Sequence, residues 1–224
     1  MPTRAEVRLL QLGQKEITRR ARQELAGWWE MLDKTDLDKM RAEVEEFFPL
    51  LIREYGNAAE VVAADWYEDI YRERSRISAG GVSNEEMARA RARWAIGESW
   101  NGNHAQALST LQLVTDEMVR QFGRDAVQES AKANKRMYAR VPVGKTCAWC
   151  LMLASRGFAY HSESDAGKMA KFHGDCDCEI VPDDGRVPEG YDADALYEAY
   201  KSVHQTGDTD KEVAAKLRKT LSLK

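Results

Sequence analysis

The chain has 224 residues, enough for one large domain or two small ones with a buried core, so size alone calls for no staple. Charged residues make up 31% and apolar ones 43%, and no uninterrupted apolar run nears the roughly 20 residues that span a bilayer, so no membrane partner is expected. A net charge of −4 argues against a protein that coats nucleic acid by bulk charge, while leaving room for a local basic patch.

In chain order, Leu10, Ile17, Ala21, Leu25, Trp28 and Leu32 recur at helical spacing and predict one amphipathic helix from Thr3 to about Leu32. Thr35 with Asp38 resembles an N-cap for a second helix, whose apolar face is Leu37, Met40, Val44, Phe47, Phe48 and Leu51. Pro49 should kink or divide that helix, and Gly56-Asn57 reads as its stop. Helix is expected to resume from Ala58 to Ile77, with Val62, Trp66 and Ile70 on one face. Ser78 to Gly81 is a turn, and Ser83 with Glu86 has capping-box spacing for a helix carrying Arg89, Arg91 and Arg93, which read as a solvated surface. Asn101-Gly102-Asn103 ends it. A strong helical pattern then covers His104 to Phe122, Gly123 interrupts it, and Arg124 to about Tyr138 continues as helix.

Periodicity changes at Tyr138 to Val143, which reads as a strand. Leu151 to Ser155 can form a short helix, Gly157 to Tyr160 a turn and strand, Ser164 to Ala170 another helix, and Cys178 to Val181 a returning strand. Asp192 can cap a helix bearing Leu196, Tyr197, Tyr200 and Val203, and Thr209 with Glu212 can cap a last one bearing Val213, Leu217 and Leu221. The expected fold is therefore mainly α: an all-helical region over 1–136, a small zinc-stapled α+β lobe over 137–185, and a C-terminal helical tail over 186–224.

All four cysteines fall in two short clusters, Cys147-Ala148-Trp149-Cys150 and His173-Gly174-Asp175-Cys176-Asp177-Cys178. A Cys-x-x-Cys turn brings two sulfurs to one ion, and an extended Cys-x-Cys places two more on one strand face. Zinc suits such thiolate and imidazole donors better than an iron–sulfur cluster does. Cys147, Cys150, His173, Cys176 and Cys178 are five candidates for four places, and the choice between Cys176 and Cys178 stays open. A thioredoxin-like pair would leave the second cluster unexplained, and disulfides suit secreted chains, whereas this N-terminus lacks the apolar stretch of a signal peptide.

No catalytic residue is expected. Gly144-Lys145-Thr146 imitates the end of a phosphate loop, but Ala139 stands where that loop needs glycine, and neither Gly-x-Ser-x-Gly nor His-Glu-x-x-His occurs. A catalytic zinc would keep an open coordination position, and here a ligand is to spare. Lys132, Lys135, Arg136, Arg140 and Lys145 form a basic stretch with no acid between them, read first as a solvated helix end and second as a contact for DNA phosphate.

The segment from Cys147 to Gly157, with Tyr160, Phe172 to Cys178 and Val181-Pro182, resembles the Mu F-like minor head proteins of tailed bacteriophages, especially those of actinobacterial phages. The resemblance covers about a fifth of the chain, from Tyr138 to Pro182. It implies a virion component of the phage head, assembled with the portal and the major capsid protein and acting in head morphogenesis. A DNA-associated zinc protein acting in packaging or delivery is the alternative. Tryptophans are enriched at interfaces, and Trp28 and Trp29 point about 100° apart on a helix, so one of them is expected to meet a partner.

Overall fold

The computed structural model describes residues 2–77, 85–144, 147–159 and 176–221. Helix α1 (Arg4–Glu30) starts at a reciprocal capping box: Glu6 N donates to Thr3 Oγ1 at 3.2 Å, and Thr3 N donates to Glu6 Oε2 at 2.6 Å. Its buried residues Leu10, Gln14, Thr18, Ala21, Leu25 and Trp29 step by three or four, which lays one face on the bundle.

Helix α2 (Leu37–Tyr71) is capped by Asp36, not Thr35, whose backbone N–H and hydroxyl both bond Asp33 instead. It runs unbroken through both expected breakers. An interior proline costs about 3 kcal/mol, but burying side chains such as Phe48, Leu51 and Ile52 beside Pro49 contributes about 1.5–3 kcal/mol each, so packing outweighs it. Gly56 is a contact residue: a Cβ there would stand 2.8 Å from the Phe122 ring, and its absence lets the next long helix approach. The helix ends at Tyr71, six residues before the expected Ile77, with Arg72 in the left-handed region at φ 56°.

Helix α3 (Glu85–Ala95) passes into a 3-10 turn (Ile96–Asn101) that stops at Gly102, φ 78°. The turn and cap expected from Ser78 to Ser83 lie outside the described residues. The α3 arginines are not simply solvated. Arg91 makes a two-pronged pair with Glu117 at 2.6 Å, and Arg93 grips Glu45 at 2.8 and 2.6 Å, pinning α3 to both neighbours.

Helix α4 (His104–Ala133) is also continuous through its glycine, because Gly123 is where the Gln14 side chain lies and a Cβ would overlap that amide. Gln14 reaches across to Ala59 O at 2.8 Å, so one buried amide ties α1 to α2 where α4 passes. The main core gathers Leu25, Trp29, Met40, Phe48, Ile52, Ala92 and Leu111 from all four helices, with Ile96 from the 3-10 turn. Trp29 is buried within it, whereas Trp28 is half-buried and stacks on Phe47 with centroids 4.1 Å apart. The part of Trp28 left exposed, beside its contact with α2, is the one available to a partner.

Strands β1 (Tyr138–Pro142) and β2 (Cys178–Pro182) pair antiparallel, with Tyr138 opposite Pro182 and Pro142 opposite Cys178. Between them α5 (Ala148–Ala154) begins three residues earlier than expected, because the Cys147 sulfur itself caps it, accepting from Cys150 N at 3.3 Å. Gly157 to Ala159 carries no strand, while Tyr160 and the helix expected from Ser164 to Ala170 lie outside the described residues. The sheet is not set apart from the bundle. Tyr67, Tyr71, Ala126 and Val127 pack with Tyr138, Ile180 and the cysteines, and Tyr71 donates to Pro182 O at 2.8 Å. Helices α6 (Ala193–Lys201) and α7 (Asp210–Leu221), capped by Asp192 and Thr209 as expected, cover α5 through Leu196, Val213 and Leu217.

Candidate metal centre

Three elements bring the cysteines together. The first turn of α5 carries Cys150, the approach to β2 carries Cys176, and β2 opens with Cys178. Their sulfurs all lie within 4.8 Å of one another, each residue is buried, and Cys150 Sγ stands 3.2 Å from Cys176 Sγ, too far for a disulfide. All four cysteines are free thiols. Cys147, half-buried, adjoins Cys150 at the rim. His173 lies outside the described residues.

Two sulfurs of a tetrahedral zinc site with Zn–S near 2.3 Å stand about 3.8 Å apart, so this spacing fits a thiophilic ion. Three buried thiols this close can hold a metal ion. As thiols they share protons unevenly. Cys150 is pushed up by hydrogen bonding with Cys147, Cys176 and Cys178, whereas Cys176 is pulled far down by hydrogen bonds from Cys150 and Cys178, helped by the Arg124 charge. At Cys178 the Cys150 contact pulls down, and the Cys176 contact together with burial outweighs it, leaving that thiol raised.

The extended Cys176-Asp177-Cys178 alternates as strand geometry requires, so Asp177 faces away from the sulfurs. There Gln11 Nε2 donates to Asp177 O at 3.1 Å, and Lys15 pairs with Asp177 Oδ1 at 2.9 Å. From the other side Arg124 Nη2 donates to Cys176 O and Cys178 O, each at 3.2 Å, and Arg120 Nη2 meets Glu179 Oε1 at 3.1 Å. Burial pulls the Arg124 pKa down, and the nearby Glu179 charge opposes that. Sequence reasoning missed Arg120, Arg124 and Glu179. The signal present was two arginines four apart in line with the apolar Val127 and Ala131, and a carboxylate between two strand core positions.

The basic stretch divides. Arg136 turns to Glu73 at 2.9 and 2.7 Å and lies over the Tyr71 ring at 5.1 Å, while Arg140 is buried in β1. Lys132 and Lys135 are exposed, and Lys145 is outside the described residues. A cleft of about 620 Å³ between α1 and α4, bounded by Asp177, is lined by Lys15, Arg19, Arg22 and Arg120. Each of these pairs with a carboxylate, from Asp177, Glu16, Asp116 and Glu179 respectively, so the cleft shows little surplus positive charge.

The model of a family described as VG15 protein matches residues 1–203 of the chain. The Gene 15 protein of Mycobacterium phage D29 is 26% identical, with 62% of this chain covered. The match spans 65% of that relative's length, just under two thirds. No solved structure matches.

Proposed function

The chain belongs to the VG15 protein family, a phage protein family, and from that premise we propose that it is a structural component of a phage head: a minor capsid protein assembling with the portal, the major capsid protein or both. Its place is then the virion, and the host cytoplasm during assembly. The cysteine lobe is stapled by a structural zinc ion held by Cys150, Cys176 and Cys178, with the fourth position taken by Cys147 or His173. Structural zinc supplies folding energy by holding its ligand segments together.

The observation that carries this reading is a thiol cluster buried to 1–2% exposure in a chain of a phage family. Among the described residues these three sulfurs are enclosed, which supports a structural rather than a catalytic role. The likeness of Cys147 to Pro182 to Mu F-like minor head proteins supports the head in particular. Outside the lobe the bundle exposes Trp94 at 69% and Trp100 at 45%, and exposed tryptophan is a common anchor of protein interfaces.

Deleting α1 is a poor test, since it removes Leu25 and Trp29 from the core. The chain should instead be co-expressed with its cognate portal and major capsid proteins as wild type and as Trp94→Ser/Trp100→Ser. Reduced incorporation of the variant into heads is expected, and equal incorporation refutes docking through this face. Loss of incorporation only with Lys132→Gln/Lys135→Gln would favour the DNA-associated reading instead, for which salt-sensitive DNA binding is the second check.

A further inference from the structure

Arg124 of α4 is 3% exposed, and its Nη2 donates to the carbonyls of both Cys176 and Cys178 at 3.2 Å. That nitrogen has two hydrogens, and each meets a carbonyl on one side of Asp177. One turn earlier Arg120 takes Glu179, so a single face of α4 grips positions 176, 178 and 179. A buried guanidinium is costly to desolvate and persists only beside negative charge or well-placed acceptors. Three or four thiolates around a divalent ion leave a net negative centre, which is the environment such a cation needs.

We infer that Arg124 is the positioning residue of the metal centre: it fixes the Cys176–Cys178 segment through its carbonyls, supplies the counter-charge to the thiolates, and thereby ties metal occupancy to the packing of α4. This rests on the metal reading above. The zinc-bound segment becomes a wall of the bundle, held from α4 by arginine and from α1 by Gln11 and Lys15. Loss of the ion loosens α4 where it carries Arg120 and Arg124, while the first turns of α2, packed in the main core, keep their order.

The test uses full-length zinc-loaded protein as wild type, Arg124→Lys and Arg124→Gln. Three quantities are read: zinc release to a chromophoric chelator, the thiolate charge-transfer band of the cobalt-substituted protein, and amide exchange across 120–127 and 37–44. Arg124→Gln should release zinc about 10–100-fold faster with an altered cobalt band, and Arg124→Lys, which keeps charge but loses the two-carbonyl fork, should fall between. Zinc removal from wild type should raise exchange across 120–127 and not across 37–44. Wild-type release and spectrum in Arg124→Gln overturn the inference. If that variant does not fold, the wild-type experiment decides, and unchanged exchange across 120–127 on zinc removal overturns it. A wild type that takes up neither zinc nor cobalt overturns the metal reading and this inference with it, whereas a loaded wild type with an indifferent variant overturns only the role of Arg124.

Discussion

Replacing Glu179 by Ala should be among the most damaging single changes in the chain. Its carboxylate stands 3.1 Å from Arg120 Nη2, with the two side chains only 3% and 6% exposed, so the truncation leaves a guanidinium buried without its partner. Breaking a buried pair from one side costs about 3–5 kcal/mol, because the remaining charge keeps its desolvation penalty and loses its compensation. At about 2–4 °C per kcal/mol for a chain of this length, the melting temperature should fall by roughly 6–20 °C. The internal control is Arg19→Ala, which breaks the pair with Glu16 whose members are 53% and 45% exposed, and which should cost little because solvent screens it. The assay is urea and thermal denaturation, each followed by far-UV circular dichroism. Replacing both partners, Glu179→Leu with Arg120→Met, should recover much of the loss, since an apolar pair carries no desolvation debt. A Glu179→Ala cost no greater than that of Arg19→Ala, or a double variant no more stable than Glu179→Ala, would refute the reasoning.

Gly56→Ala should cost about 1–3 kcal/mol by pushing α2 against Phe122, read as a lower urea midpoint, and an unchanged midpoint would show that the ring simply moves aside. Glu6 has its pKa lowered by backbone and side-chain hydrogen bonds from Thr3, so its contribution is present above the unfolded value of 4.5 and is lost as pH falls through the lower folded value. Glu6→Gln should therefore flatten the stability profile below pH 4.5, and an unaltered acid limb would exclude the cap as its source. Cys150→Ser should abolish stoichiometric zinc in elemental analysis of reductively purified protein, and full retention would remove Cys150 from the ligand set.

Much of the helical layout was legible because caps and apolar spacing act locally: Thr3, Asp192 and Thr209 start their helices where the sequence says. The breakers were misleading for a tertiary reason. Gly56 and Gly123 look like stops when seen alone, yet their function depends on Phe122 and Gln14, which arrive from other helices. Pro49 likewise survives on burial that no local window shows. At the site, the meeting of Cys150, Cys176 and Cys178 was legible from spacing, whereas the arginines behind them were not. Arg120 and Arg124 read as ordinary helix cations until the fold sets them against Glu179 and the cysteine carbonyls.

The alternation of Cys176, Asp177 and Cys178 has a consequence for how the β1–β2 pair finds its alignment. A ribbon of two five-residue strands is weakly specified by itself, and a slip of one residue would exchange its faces. Such a slip would turn both sulfurs toward the α1–α4 cleft and drive Asp177 inward against Cys150. The three thiols would then no longer meet, and a carboxylate would be driven among buried apolar side chains. If the cluster holds an ion as proposed, its capture favours strand alignment: only the correctly threaded ribbon brings Cys176 and Cys178 to Cys150.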